Sequence, residues 1–160
     1  MKLLLLRGLP GSGKTTYAEN LIKANSSWKR VSKDMLRDML SLGQIDEKNE
    51  FLLNQASHTL IIYYLTQGFN VVSDNMNLDP KQVQLLVHKT CMKLNTFNML
   101  NQLEIEVKEF YTSLEECIER DSLRPMPVNQ SIIEHIHEKW FDKDNLMVPL
   151  DLRRILKEYI

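Results

Sequence analysis

Gly8-Leu9-Pro10-Gly11-Ser12-Gly13-Lys14-Thr15-Thr16 fits the phosphate-binding loop pattern G-x-x-x-x-G-K-[ST] and follows directly on an apolar run, Leu3 to Leu6. An amphipathic stretch begins at Lys14, so strand, loop and helix stand in the order the motif requires. Without that context the same letters describe a Gly-rich turn that caps a helix. With it, the loop wraps closely, its N–H groups point inward at phosphate oxygens, and the helix N-terminus adds partial positive charge. The expected nucleotide-binding set is Gly11, Ser12, Gly13, Lys14, Thr15 and Thr16, with Lys14 as a point charge on the terminal phosphates and the Thr15 hydroxyl aimed at Mg²⁺.

Outward from the loop, short β-rich runs alternate with longer helical ones, the signature of an α/β fold with a parallel sheet flanked by helices. Strands are expected at residues 2–7, 28–32, 69–73 and 104–110, and helices at 14–24, 33–41, 46–66, 79–99, 113–123, 129–141 and 150–159. Asp79-Pro80 supplies an N-cap followed by Pro at the first helical position, and Ser113 to Glu116 reads as a capping box. In the long helix, Phe51, Leu52, Gln55, Thr59, Ile62 and Leu65 keep near-helical spacing and are expected to pack on the sheet. In open α/β sheets ligands bind beyond the carboxyl ends of the strands, and the loops there carry Gly8 to Thr15, Ser32 to Asp34, and Asp74 to Asn77.

The chain has 160 residues, which suits one α/β domain, with 43% apolar and 26% charged residues. A net charge of −1 argues against a broad nucleic-acid-binding surface, so any polynucleotide must meet a local basic pocket contacting few phosphates. Leu3 to Leu6 is too short to span a membrane and lacks the small-residue cleavage site of a secretory signal, so the cytosol is the expected location. Cys91 and Cys117 form no C-x-x-C pair and are read as core-filling thiols. His135 and His137 stand two apart, on different helix faces, and cannot form the i, i+4 zinc pair.

Asp34 and Arg37 lie three apart at the start of a helix and project from one face of its first turn. A carboxylate near the phosphate loop can accept the proton of an attacking hydroxyl, and the planar fork of Arg37 can grip an anionic group of the acceptor. A helix-capping Asp with a solvated Arg partner fits the same spacing. Asp74 ends an apolar strand, where a carboxylate supports Mg²⁺ or its waters, or simply terminates the strand in a loop. Asn75 follows it in place of the Glu that orients water in motor-type ATPases, so nothing here calls for hydrolysis. Asn77 shares that loop and joins Asp34, Arg37 and Asp74 as an expected acceptor contact. Arg120 and Arg124 stand four apart before Pro125-Met126-Pro127, as lid arginines would, although Glu116 also makes an ordinary surface partner for Arg120.

Four blocks together resemble the bacteriophage-type polynucleotide 5′-hydroxyl kinases: Gly8 to Thr15, Ser32 to Arg37, Val72 to Pro80, and Arg120 to Arg124 followed by Pro127. The resemblance covers residues 2–140 and implies a P-loop kinase fold of about four parallel strands, helices on both faces and a helical lid at about residues 120–128. It implies ATP as phosphate donor, Mg²⁺ as cofactor, and the 5′-hydroxyl end of RNA or DNA as acceptor, in nucleic-acid end repair. Lys14 and Thr15 fall on the ATP phosphates and Mg²⁺, Asp34 on the base, Arg37 on the clamp for the acceptor's 3′-phosphate, and Arg124 and Arg120 on the lid arginines. The stretch between Arg124 and Pro127 is shorter than the family pattern. The expected organisation is a kinase domain over residues 1–145 with residues 146–160 as a helical tail packed on it, and no fused phosphatase domain. The expected location is the cytoplasm, that of the host if the source is viral. A kinase of a nucleoside, sugar or nucleotide-sugar, and a nucleotide-binding regulatory module, are the rival readings.

Overall fold

The computed structural model describes residues 1–40 and 46–159, so Ser41, the last residue of the expected second helix, and Ile160 lie outside the described residues. Strands β1 (Lys2–Arg7), β2 (Trp28–Val31), β3 (Asn70–Ser73) and β4 (Glu104–Glu109) form one parallel sheet in the order β2-β3-β1-β4. Central β1 is apolar from Leu3 to Leu6 because helices cover both its faces, whereas edge strand β4 alternates Glu104, Ile105, Glu106 and Val107. Leu4, Leu6 and Val72 pack under Ala18 of α1 (Lys14–Ala24). On the opposite face Leu3, Leu5 and Val71 meet α3 (Glu47–Thr66) and α4 (Pro80–Thr96), and Leu36 of α2 (Lys33–Met39) joins them.

A third cluster, Leu9, Leu78, Cys117 and Ile133, joins the phosphate loop to α5 (Leu114–Ser122) and α6 (Gln130–Trp140). This is the P-loop kinase arrangement: four parallel strands, helices on both faces, and the carboxyl ends of β1, β2 and β3 opening onto one rim. Both cysteines are buried free thiols. Among the described residues no helix is long and apolar enough to cross a membrane.

Three expectations are corrected. The buried stripe of α3 is Leu53, Ser57, His58, Ile61 and Leu65, while Phe51 and Leu52 face solvent, because small Ser57 lets the helix approach closely along the Leu53–Ile61–Leu65 row. Helix α4 ends at Thr96, before residue 99, since Asn98 takes a left-handed φ of 54° and turns the chain. The tail helix α7 covers only Arg153–Lys157 and not 150–159. Leu150, Leu152, Ile155, Leu156 and Tyr159 nevertheless pack on the core, and the Tyr159 hydroxyl meets Nδ1 of His88 at 3.1 Å.

Arg7, at the end of β1, is the one large charged side chain that is fully buried among the described residues. Its guanidinium pairs with Glu109 and donates to the carbonyls of Asn77 (3.0 Å) and Val148 (2.9 Å), so one side chain ties β1, β4, the loop after β3 and the segment before the tail. Removing it leaves the carbonyls of Asn77, Leu78 and Val148 without this donor, while Glu109 keeps only the Tyr111 hydroxyl among the described residues. Arg7→Met is expected to lose about 3–5 kcal/mol of unfolding free energy in urea. Arg153→Ala, which breaks a solvent-exposed pair with Asp151, is expected to leave the midpoint unchanged.

Candidate functional site

The phosphate loop is shaped by close contact with α5. Gly11 has a φ of 79°, and a Cβ there would lie 2.2 Å from the carbonyl oxygen of Cys117, so only glycine lets the helix sit on the loop. Gly13 takes a φ of 96° and starts α1. The Thr112 hydroxyl donates to the Ser12 carbonyl (3.1 Å) from the other side. Lys14 is buried inside this shell, and its Nζ donates to the Leu9 carbonyl (2.5 Å) and the Ser12 hydroxyl (3.2 Å). Burial lowers its pKa to about 8, against the opposing pull of the Asp74 carboxylate.

Asp74 comes next. Its backbone N–H donates to the Val31 carbonyl (2.9 Å), which seats the residue over the end of β2. The Thr15 hydroxyl donates to Oδ1 of Asp74 at 3.4 Å. The other oxygen, Oδ2, accepts from Nε (2.9 Å) and pairs with Nη2 (2.7 Å) of Arg30. Mg²⁺ takes hard oxygen ligands, usually one or two from protein with phosphates and waters completing the shell. The Thr15 hydroxyl and the near oxygen of Asp74 fit that donor set.

At the end of β2, Ser32 is the N-cap of α2, accepting from Met35 N–H at 3.5 Å, which removes the capping explanation for Asp34. Asp34 is exposed in the first turn, has no hydrogen-bond or ion-pair partner among the described residues, and lies close enough to act on the charge of Lys14. One turn on, Nη2 of Arg37 donates to Glu50 (2.6 Å) while its Nη1 is buried without a partner. An unpartnered buried guanidinium nitrogen is uncommon, and it makes Arg37 a candidate contact for an anion. Asn75 accepts from the backbone N–H of Lys33 (2.8 Å), joining the loop after β3 to α2. Asn77, expected to touch the acceptor, has its amide engaged with the Leu6 carbonyl (2.7 Å), the Ser73 carbonyl (3.2 Å) and the Asn75 carbonyl (3.2 Å), which holds its own left-handed turn.

Arg120 and Arg124 line a cleft of about 570 Å³ with Gly11, Gly13, Thr15, Thr16, Tyr17 and Asn20. Arg120 pairs with Glu116, as its spacing allows, and Arg124 approaches Oδ1 of Asp121 at 3.4 Å. Buried Asp121 shapes this turn by accepting from the Val128 N–H (2.7 Å) and offering its carbonyl to the Arg124 N–H (3.0 Å). Arg30, Glu50 and Asp121 did not emerge from the sequence. Arg30 and Glu50 meet partners that only the fold brings near, so no local spacing marks them, whereas Asp121 stands three before Arg124, a spacing that could have marked it.

A mononucleotide-sized cleft over a phosphate loop defines a P-loop protein of the kinase-like class. Residues 3–140 match the family model described as AAA domain, and the chain belongs to that family, which with the loop implies nucleotide binding. The chain is similar to one in the structure of the Pnkp1/Rnl/Hen1 RNA repair complex, with 27% identity and a TM-score of 0.69 over 95% of this chain and 49% of that one. A second Pnkp1/Rnl/Hen1 complex gives 29% identity and a TM-score of 0.62, covering 74% and 39%. The chain thus spans about half the length of the first of these relatives. A gluconokinase from Sinorhizobium meliloti 1021 shares the fold alone, at 15% identity and a TM-score of 0.56 over 99% of this chain and 89% of that one. No curated protein matches the chain.

The depressed Lys14 sets a pH dependence. With a pKa of about 8 in the free loop and a higher one beside phosphate, nucleotide affinity is flat below about pH 8 and falls as the pH rises through that value. Calorimetry at about pH 9 in two buffers of different ionisation enthalpy is expected to show proton uptake on ATP binding. Whatever affinity Lys14→Met retains is expected to lack that uptake.

Proposed function

We propose that this protein is an ATP-dependent polynucleotide 5′-hydroxyl kinase, with residues 1–145 as the kinase unit, residues 120–128 as its lid and residues 146–160 as a tail. The observation that carries the reading is Asp34, a partnerless carboxylate near Lys14, with the bare Nη1 of Arg37 one turn behind it. A carboxylate near Lys14 acting as base and Arg37 acting as anion clamp one turn away would suit an acceptor that has both a hydroxyl and a phosphate, as a polynucleotide 5′ end has. The four-block resemblance supports the same reading, as does similarity to a chain of an RNA repair complex.

In this mechanism the 5′-hydroxyl oxygen attacks the γ-phosphorus of ATP in line, its proton passes to Asp34, and the bond from the γ-phosphorus to the β,γ-bridging oxygen breaks, releasing ADP. Lys14 and the loop N–H groups hold the donor phosphates, while Arg120 and Arg124 meet the charge that spreads over the transferring group. Mg²⁺, held by Thr15 and supported by Asp74, neutralises phosphate charge when bound. Arg37 holds an acceptor phosphate and thereby orients the hydroxyl.

Asp34→Asn is expected to lower transfer by about 10²–10⁴-fold with ATP affinity unchanged. Loss of ATP binding together with activity would make Asp34 structural. Arg37→Ala is expected to raise the acceptor KM and leave that for ATP alone. The acceptor itself is tested with γ-labelled ATP and 5′-hydroxyl RNA and DNA oligonucleotides, nucleosides and sugars in parallel. Label on oligonucleotide ends is expected. Label only on a nucleoside or sugar would reassign the acceptor, and ATP binding without any transfer would make the protein a regulatory module.

A further inference from the structure

Arg30 is the least expected residue of the site. It pairs in register with Val72, whose side chain faces α1, so the Arg30 side chain leaves the sheet on that same face. One pleat further along β3 stands Asp74, and the guanidinium reaches it with two nitrogens on one oxygen. The third nitrogen, Nη1, donates to Glu19 of α1 at 3.1 Å. Arg30 is only 13% exposed and the Asp74 side chain 2%, so their charges act on each other with little screening. The two oxygens of Asp74 are therefore divided: Oδ2 belongs to Arg30, and Oδ1 alone addresses the Thr15 hydroxyl.

We propose that Arg30 is a positioning residue of the metal–nucleotide site: it fixes which oxygen of Asp74 faces Thr15 and, through its permanent charge, sets how much Mg²⁺ the site requires. A guanidinium does not titrate in the working range, so this counter-charge is always present. With Arg30 in place, the Asp74 carboxylate alone attracts a cation weakly, and the metal arrives as the Mg–nucleotide complex. Glu19 holds the third nitrogen of Arg30 from the solvent side, and its negative charge partly offsets the guanidinium that faces Asp74. The inference rests on the loop binding a Mg–nucleotide, and on nothing about the acceptor.

The test is ATP binding by calorimetry on the intact protein across a Mg²⁺ series, with no acceptor present. Arg30→Gln keeps hydrogen-bond donors but removes the charge, and the half-saturating Mg²⁺ concentration is expected to fall about fivefold. Glu19→Gln, at a partly exposed position, removes that offset, leaves the Arg30 charge to act on Asp74 in full, and is expected to raise that concentration about twofold. Opposite shifts in the two variants support the proposal. Unchanged Mg²⁺ dependence in both, or shifts in the same direction, would overturn it by making Arg30 a structural tie. Wild-type ATP binding that ignores Mg²⁺ would overturn it as well, while the labelling panel above judges the acceptor separately.

Discussion

A buried ammonium with no carboxylate in ion-pair range among the described residues organises this molecule. Lys14 lies inside its own loop, and the groups that receive it are the Leu9 carbonyl and the Ser12 hydroxyl. For those groups to converge on Nζ the chain must curl tightly, which the positive φ at Gly11 and Gly13 permits. The curl leaves Gly11 flush against the Cys117 carbonyl and Leu9 in the cluster with Ile133, so the same bend that houses the charge docks the helices bearing Arg120 and Arg124. Desolvation keeps the ammonium poorly satisfied, as its pKa of about 8 records, and an incoming phosphate relieves that deficit.

The electrostatics of the rim follow a division of labour. Asp74 already has a cation, Arg30, and Arg37 already has an anion, Glu50, whereas Asp34 has no partner among the described residues. Paired groups on the rim are held in place, and the carboxylate left without a partner among the described residues is the one proposed as the base. The lone bare nitrogen of Arg37 marks where its pairing stops short of saturation. With a net charge of only −1, cations gathered at Lys14, Arg120 and Arg124 make a local basic pocket without a basic surface.

The parts of this design that are local in sequence were legible in it. The loop, the caps at Asp79 and Ser113, the strand ends and the i, i+3 placement of Asp34 and Arg37 on one short helix all depend on residues within a few positions of one another. What escaped is long-range. Arg30 meets Asp74 across 44 positions and Arg7 meets Glu109 across 102, and only the strand order brings either pair together. The buried face of α3 escaped for another reason: it contains Ser57 and His58, polar residues that a hydrophobic pattern assigns to solvent. Burial drives the pKa of His58 down to about 4, with Lys89 and Lys33 adding to the effect, so it enters the core as a neutral ring.

Strand order also fixes the spacing between the phosphate loop and α2. Because β3 lies between β1 and β2, the loop that leaves it touches both neighbours. Asp74 reaches Thr15 at the start of α1, Asn75 accepts from the Lys33 N–H at the start of α2, and Asn77 donates to the Leu6 carbonyl at the end of β1. Four consecutive residues thus link the helix that leaves the phosphate loop to the helix carrying Asp34. The separation of Lys14 from Asp34 is therefore held by hydrogen bonds through residues 74–77 as well as by the sheet beneath them. In a reaction whose catalysis is mostly alignment, such a brace matters as much as the groups it separates. It also accounts for Asn77, whose left-handed turn brings the chain back against β1 and closes the brace.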